Sequence, residues 1–308
     1  MSGFERQTPA AGEVYLDHVG WFVPNMTTAG AAFERLGFTL TPFVAQSNAD
    51  PAGGPPKPAG TGNRCAMLRR GYLEILAAVD GADTLLAHQH RTAVARYVGV
   101  HLLAFTVADA RAAHALLAAE GFAPLDPVHL RRPIATDGGE EDVAFTVVRV
   151  PPPKMPEGRI QFLTQETPDL VWQERLIARD NFIAALAGAL ICVADVEEAA
   201  TRYGRFLGRG ARGDGDYATI ALDRGRLGFA TPARCRALLP GINFVQPPVI
   251  AAVTLVADDV AAARLFCRSR GIPIAFGGDS RFCVDPGAAM GVALLVHGRD
   301  DIWPPDAA

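Results

Sequence analysis

The segment WFVPNMTTAGAAFERLGF (residues 21–38) recurs in three further copies along the chain, and this repetition sets the architecture. Each copy opens with a short apolar run that ends in Val, passes through Asn or Asp two residues later, and closes with Gly after a helical pattern. The other copies are AFTVADARAAHALLAAEGF (104–122), LICVADVEEAATRYGRFLG (190–208) and VTLVADDVAAARLFCRSRGI (253–272). A period of this length indicates a repeated supersecondary module.

Each copy predicts a strand that leads into a helix. The apolar run is typical of a strand, and the alanine-rich stretch favours helix. An Asn or Asp is placed to cap the first N–H groups of each helix, at Asn25, Asp109, Asp195 and Asp258. Glycines that can adopt the left-handed conformation are expected to end three of the helices, at Gly37, Gly121 and Gly271.

Strand-like runs follow each helix, so the repeated unit is predicted to be β-α-β-β-β. The first unit is split by the Pro/Gly-rich insertion NADPAGGPPKPAG (48–60), and residues 167–182 are predicted to form a helical linker after the second unit. The predicted fold class is therefore α+β, with two modules in residues 12–166 and two in residues 183–303.

Composition excludes several functional classes. The chain has 308 residues, 49% of them hydrophobic, and a net charge of −4, with no basic footprint for nucleic acid. No apolar stretch reaches the ~18 residues that a membrane span needs, and residues 1–14 lack the apolar core of a signal peptide. The five cysteines are scattered without a CxxC, so we expect free thiols in a cytoplasmic protein and no cysteine-held zinc.

Local motifs resemble those of a known superfamily. They are LDHVGWFV (16–23), GTGNRCAMLRRGYLEIL (60–76), RRP (131–133) and TPDLVW (167–172). With the four modules, they resemble the vicinal oxygen chelate superfamily, and most closely its glyoxalase-like branch. The resemblance implies that modules one and two pair into a cupped sheet around a ligand site, and modules three and four into a second. Because one such fold carries many functions, the reaction stays open.

His18 and Glu74 are the candidate metal ligands of the first module. His18 shares a strand face with Gly20 and Phe22, and by itself it fits a hydrogen-bonded strand residue as well as a ligand. Glu74 interrupts the apolar run GYLEILAAV (71–79), where a buried carboxylate is costly unless it is paired or binds a cation; a solvated edge position is the alternative. The resemblance implies that these two positions hold a divalent ion, for which Mn, Fe, Ni or Zn would suit, and that Glu74 can double as a catalytic base.

The second module offers weaker ligands. The position that corresponds to His18 is Leu102, and His101 next to it is expected on the opposite face unless the strand is bulged. Gln161 aligns with Glu74, and Gln165 stands where the resemblance implies a histidine. Gln161 and Gln165 are therefore the candidates to complete the metal shell. In modules three and four the corresponding positions carry no ligand, being Gly188, Ala251, Gly228 and Leu294.

Three further residues are candidate binding residues. Asn63 and Arg64 lie in a Gly-rich approach to a strand, where an ordinary turn is the alternative to a pocket rim. Trp172 could stack on a ligand or pack the module pair. The RRP stretch (131–133) could bind an anionic group or form a solvated basic loop, and His88 and His90 lie in a predicted helix.

Two functions remain open. The first is a metal-dependent lyase, isomerase or dioxygenase that acts on a small oxygen-chelating substrate. The second is a metal-free protein that binds or sequesters a small molecule in the same cup, as the bleomycin-resistance proteins of the superfamily do. The expected partner is a small molecule, with neither nucleic acid nor membrane involved, and a homodimer is compatible with modules that can pair between chains.

Overall fold

The computed structural model describes residues 6–48, 54–55 and 57–306. The first five residues, within the stretch where no signal peptide is predicted, and six residues of the Pro/Gly-rich insertion lie outside these ranges. The first half of the chain contains β1 Val14–Phe22, α1 Met26–Arg35, β2 Val44–Asn48, β3 Lys57–Met67, β4 Tyr72–Ala78, α2 Leu85–Arg96, β5 Gly99–Val107, α3 Ala110–Ala119, β6 Val128–Thr136, β7 Gly139–Arg149 and β8 Arg159–Gln165.

The second half repeats the same order of elements. It contains α4 Pro168–Val171, β9 Ile183–Cys192, α5 Val196–Leu207, β10 Ala211–Asp214, β11 Tyr217–Ala221, β12 Arg226–Ala230, α6 Pro232–Leu238, β13 Val249–Ala257, α7 Val260–Ser269, β14 Ile274–Gly277, β15 Arg281–Val284 and β16 Ala293–His297. The predicted helical linker holds only α4 and a 3₁₀ turn at Glu174–Leu176. Among the helices described, none is long and apolar enough to cross a membrane.

The strands form two eight-stranded mixed sheets, which confirms the predicted α+β class with four βαβββ modules. The first sheet has the order β2-β3-β4-β1-β5-β8-β7-β6, and the second β10-β11-β12-β9-β13-β16-β15-β14. In each sheet two modules meet through their first strands, β1 with β5 and β9 with β13, both antiparallel. The edge strands β2 and β6 approach each other, so the first sheet is nearly closed around its concave face, which we call the N-terminal cup.

The helix ends follow the sequence with one exception. Asn25, Asp109 and Asp195 each accept a hydrogen bond from a backbone N–H of the first turn, as predicted. In the fourth module the cap is Asp259, whose carboxylate accepts from the Ala262 N–H, so the expectation for Asp258 is wrong. The anchor valine of the fourth module, Val256, lies three residues before its cap instead of two, and Asp258 forms ion pairs with arginines.

Each module carries a β-bulge at the same place in its first strand. One residue is left unpaired in the register of each strand, at Asp17, His101, Ala187 and Ala251. Each of these lies eight residues before its helix cap (17 and 25, 101 and 109, 187 and 195, 251 and 259). The residue of module four that corresponds to His18 is therefore Ala252 rather than Ala251, and neither can bind a metal. A bulge lets two consecutive side chains lie on the same face of a strand.

The two sheets share one core, and the second cup is filled. Alternate residues of β1, such as Val19 and Trp21, join a core that also contains residues of β9 and α5. The concave face of the second sheet is packed with its own cluster, which includes the buried Trp303. A Cβ at Gly228 would lie 2.8 Å from the Cβ of Pro304, so the glycine makes room for this C-terminal segment.

Candidate functional site

The N-terminal cup encloses a cavity of about 100 Å³ on the concave face of the first sheet. Five of the predicted site residues line it: His18, Asn63, Glu74, Gln161 and Gln165. Apolar side chains from β4–β8 form much of the wall, among them Leu76, Leu102, Leu130, Phe145, Val147 and Leu163. The cavity is therefore a mostly apolar cup with a few converging polar groups, as small-molecule sites are.

His18 is oriented by its neighbour Asp17, a residue that the sequence pattern placed on the opposite face. The bulge at Asp17 turns both side chains toward the cup. The His18 Nδ1 lies 2.7 Å from an oxygen of the fully buried Asp17 side chain. This contact orients the ring so that its Nε2 is directed at Glu74 and the cavity.

The Nε2 of His18 faces the carboxylate of Glu74. The distance from Nε2 to the Glu74 Oε2 is 3.6 Å, too long for a hydrogen bond. A cation placed between these two atoms would be attracted by both. Two ligand atoms that each lie ~2.0–2.2 Å from one ion can be this far apart. The pair thus fits two ligands of a divalent metal.

Asn63 fixes the other oxygen of Glu74. Its Nδ2 donates to the Glu74 Oε1 at 2.5 Å, so Oε2 is the oxygen left for His18 and the cavity. Gly20 lies beside Glu74 on the paired strand, and a Cβ there would come within 2.9 Å of the Leu102 Cβ. The missing side chain at Gly20 therefore keeps the cup open next to the carboxylate.

The two glutamines supply unpaired amide oxygens. The Oε1 atoms of Gln161 and Gln165 are buried and have no hydrogen-bond partner, while the Nε2 of Gln165 donates to Asp17 at 3.3 Å. A buried acceptor without a partner is costly and calls for a ligand. Within the described part of the chain, no group of three or more His, Cys, Asp or Glu is arranged to hold a metal. The donor set that fits a divalent ion is one imidazole, one carboxylate and neutral amide oxygens.

An aromatic wall stands behind His18. The ring of Tyr72 stacks on His18 with 4.3 Å between ring centroids, and Trp172 meets Tyr72 edge-on at 5.8 Å. Burial and the nearby Asp17 carboxylate raise the pKa of Tyr72 well above its ordinary value, so its hydroxyl stays neutral. Trp172 is buried in the adjoining core cluster and does not line the cavity. Of the two alternatives for Trp172, the structure places it in packing.

Two arginines that the sequence did not single out occupy the other half of the cup. Arg149 and Arg159 both line the cavity, and Arg159 lies over the ring of Phe22 at 5.1 Å. Burial lowers the pKa of Arg149, and burial together with Arg149 lowers the pKa of Arg159 to about 10. Both groups therefore stay positively charged at neutral pH. An arginine near the end of a strand is usually solvated. Here the cupped sheet directs both side chains into the cavity.

Arg131 and Arg132 of the RRP stretch lie on strand β6 rather than in a loop, and both line the cavity. The other predicted residues lie outside it. Arg64 lies on the opposite face of β3, where it donates to the Thr41 carbonyl and pairs with Glu34 at 3.0 Å. His101 occupies the bulge of β5, donates from Nε2 to the Tyr97 carbonyl at 2.9 Å and stacks on the Tyr97 ring. His88 and His90 lie on α2, as predicted; His88 is exposed, and His90 donates to the Leu76 carbonyl.

A family model described as "Glyoxalase-like domain" matches residues 16–207, which is more than half of the chain. The match spans the whole first sheet and the start of the second. The comparison with curated proteins gives no match.

Solved structures share the fold at low sequence identity. A hypothetical protein from Staphylococcus aureus is 10% identical with a TM-score of 0.64, over 92% of this chain and 99% of that one. A fusion of a xylose isomerase-like TIM barrel with 4-hydroxyphenylpyruvate dioxygenase is 12% identical with a TM-score of 0.58, over 96% of this chain and 51% of that one. A variant of 4-hydroxymandelate synthase from Streptomyces coelicolor is 13% identical with a TM-score of 0.54, over 94% of each chain. At these identities the likeness concerns the fold alone.

Proposed function

Because this chain belongs to the glyoxalase-like domain family, we propose that its N-terminal cup binds a divalent metal and acts on a small oxygen-chelating substrate as a lyase, isomerase or dioxygenase. His18 and Glu74 would hold the ion, with an amide oxygen of Gln161 or Gln165 as a weaker ligand. Mn, Fe, Ni and Zn accept such imidazole and oxygen donors. When bound, the ion would polarise substrate oxygens as a Lewis acid.

One observation carries the proposal. The Nε2 of His18 and the Oε2 of Glu74 face each other at 3.6 Å, while the outer atom of each group is already engaged by Asp17 and Asn63. Metal-binding histidines are typically held in this way, with the second ring N–H donated to a carboxylate. The two side chains are thus oriented toward a shared point, at the cost of burying four polar side chains.

The protein's own residues divide the remaining roles. Glu74 is the proposed base, because its Oε2 is the carboxylate oxygen that Asn63 leaves free toward the cavity. Tyr72 and the apolar wall exclude water from one side of the cup. Asn63, which the sequence offered as a candidate binding residue, is proposed as a positioning residue that orients Glu74.

The test is metal binding by purified, chelator-stripped protein. We expect one of Mn, Fe(II), Ni or Zn to raise the melting temperature and to remain bound at stoichiometric amounts in elemental analysis. His18→Ala and Glu74→Gln should each remove the metal-dependent shift, because each deletes one of the two stronger ligands. His88→Ala is the matched control, since His88 also lies beside a carboxylate, Asp83, but is exposed on α2.

Two results would overturn the proposal. In the first, no divalent ion shifts the melting temperature of the wild-type protein. In the second, a shift is seen but is lost equally in His88→Ala, which would identify surface binding.

The apolar wall supports a second candidate function. Aliphatic and aromatic side chains form much of the cavity wall, and the second module offers only the amide oxygens of Gln161 and Gln165 as metal ligands. These features suit a metal-free protein that binds a small hydrophobic molecule, with His18 and Glu74 contacting that ligand. Failure of the metal test together with ligand-induced stabilisation would favour this function.

A further inference from the structure

The half of the cup that the second module contributes contains an excess of positive charge. Arg149 and Arg159 line the cavity together, and the positive charge of Arg149 helps to lower the pKa of Arg159. Among the described residues, neither guanidinium forms an ion pair, and the Nε of Arg149 is buried without a hydrogen-bond partner. A buried charge is normally retained only when it is paired.

Two other arginines of the chain that are not fully exposed are paired. Arg202, with 15% of its side chain exposed, makes two hydrogen bonds to the buried Glu157 and one ion pair with Glu198. Arg64 pairs with Glu34. Arg149 and Arg159 differ from both in lining a cavity without a carboxylate partner.

The nearest carboxylate cannot neutralise both arginines. Glu74 is the acidic residue whose charge acts on Arg149 and on Arg159. Its two oxygens, however, are directed at Asn63 and His18. Arg131 and Arg132 also line the cavity. The positive charge of the lining arginines therefore exceeds the negative charge of Glu74, and an anionic ligand would balance part of the excess.

We propose that Arg149 and Arg159 form a subsite for the carboxylate group of the small molecule that the cup binds. The planar guanidinium fork matches a carboxylate in a bidentate geometry. The walls beside the arginines are apolar, with Leu102, Val147 and Leu163 in one cluster around Phe22. The ligand is thus a small monocarboxylate with an apolar body. Arg132, on β6, adds positive charge to the opposite wall and favours the entry of an anion.

This inference deepens the proposed function, because it places the carboxylate in the same cup as the metal, but it can be tested without any metal. The probe is benzoate, and its neutral isostere benzamide is the reference, both added to protein kept in excess chelator. We expect benzoate to raise the melting temperature and benzamide to have little effect, since only benzoate supplies the missing charge. Inorganic phosphate is a second probe, and we expect it to raise the melting temperature less than benzoate does.

Variants identify the residues responsible. Arg149→Met and Arg159→Met should each weaken benzoate binding about ten- to a hundred-fold, the usual loss for a charge-assisted hydrogen bond. Their melting temperatures without ligand should stay the same or rise, because an unpaired buried charge is removed. Arg111→Met, an exposed change on α3, is the matched control. Arg149→Lys and Arg159→Lys keep the positive charge but lose the planar guanidinium group. These variants should bind benzoate with an affinity between those of the wild type and the Met variants.

Three outcomes would overturn the subsite. They are an equal response to benzoate and benzamide, benzoate binding that survives in the Arg149→Met/Arg159→Met double variant, and a stronger response to phosphate than to benzoate. Each outcome is measured on protein kept in excess chelator, so it does not test the metal proposal. Loss of metal binding with retained benzoate binding would, conversely, remove the metal proposal and keep the subsite.

Discussion

At the scale of single residues, the candidate site depends on a pair of neighbours, Asp17 and His18. Strand periodicity and the family resemblance were sufficient to select His18 and Glu74, and the structure brings them to one cavity. Asp17 could not be selected, because alternation assigns consecutive residues to opposite faces and a bulge leaves no mark in hydrophobic periodicity. Arg149 and Arg159 were missed because an arginine at a strand end is usually solvated.

A second bulge residue, His101, predicts how stability depends on pH. Burial, with smaller contributions from Arg96 and His90, lowers the pKa of His101 to about 4 from an ordinary value of 6.5. Between these values the unfolded chain binds a proton that the folded protein does not, so the stability present near pH 7 falls as the pH drops through this window. The loss from His101 is roughly 3 kcal/mol.

The measurement is the free energy of unfolding in denaturant at several pH values between 7 and 4. His101→Gln keeps an amide donor for the Tyr97 carbonyl and should flatten this dependence. His88→Gln, an exposed change, should follow the wild type. Parallel curves for wild type and His101→Gln would show that His101 does not account for the acid sensitivity.

At the scale of elements, the C-terminal segment explains why only one cup is open. Where the first cup carries Glu74, the second carries Gly228, and Pro304 occupies the space a side chain would need. The segment is held by Trp303, which is 4% exposed, and by the hydroxyl of Tyr217, which donates to the Pro305 carbonyl at 2.6 Å. The sequence predicted that modules three and four lack metal ligands, but not that the chain end fills their cup, since no local pattern reports where a terminus docks.

Removal of the Trp303 side chain should therefore destabilise the protein strongly. Trp303→Ala is expected to lower the free energy of unfolding by about 3–5 kcal/mol, because it empties part of a packed cluster. Its neighbour Ile302, which is 52% exposed, supplies the control, and Ile302→Ala should change little. Equilibrium denaturation measures both. Equal, small effects of the two substitutions would mean that the segment does not fill the second cup in solution.

At the scale of the whole molecule, the two sheets are joined by a common interior. The Trp21 indole N–H donates to the Ala289 carbonyl at 3.0 Å, and Phe162 stacks on Phe206 with 4.7 Å between ring centroids. The sequence predicted the four modules correctly, because the strand and helix pattern repeats in each copy. Their pairing into two cups was implied by the family resemblance, and the sheet order confirms it. The boundaries 12–166 and 183–303, the cytoplasmic location and the homodimer stay predictions.

The shared interior predicts that the chain unfolds in one step. Trp172 reports on the first half and Trp303 on the second, so variants that keep only one of them, with Phe at the other tryptophan positions, follow each half by fluorescence. After correction for the stability that each variant loses through its substitutions, we expect the two fluorescence transitions to have the same denaturation midpoint. The reason is that neither half can lose its packing alone. Two transitions separated in each single-tryptophan variant would show independent domains.

The four bulges also say something about ancestry. An irregularity that lies eight residues before the cap in all four modules is what repeated duplication of a single ancestral module would leave behind. At this position two modules carry alanine, one carries the buried His101, and one carries Asp17, which orients His18. The bulge residue of each module is thus a position at which one substitution can place a functional side chain beside the following residue. The pairing of the strands need not change for this.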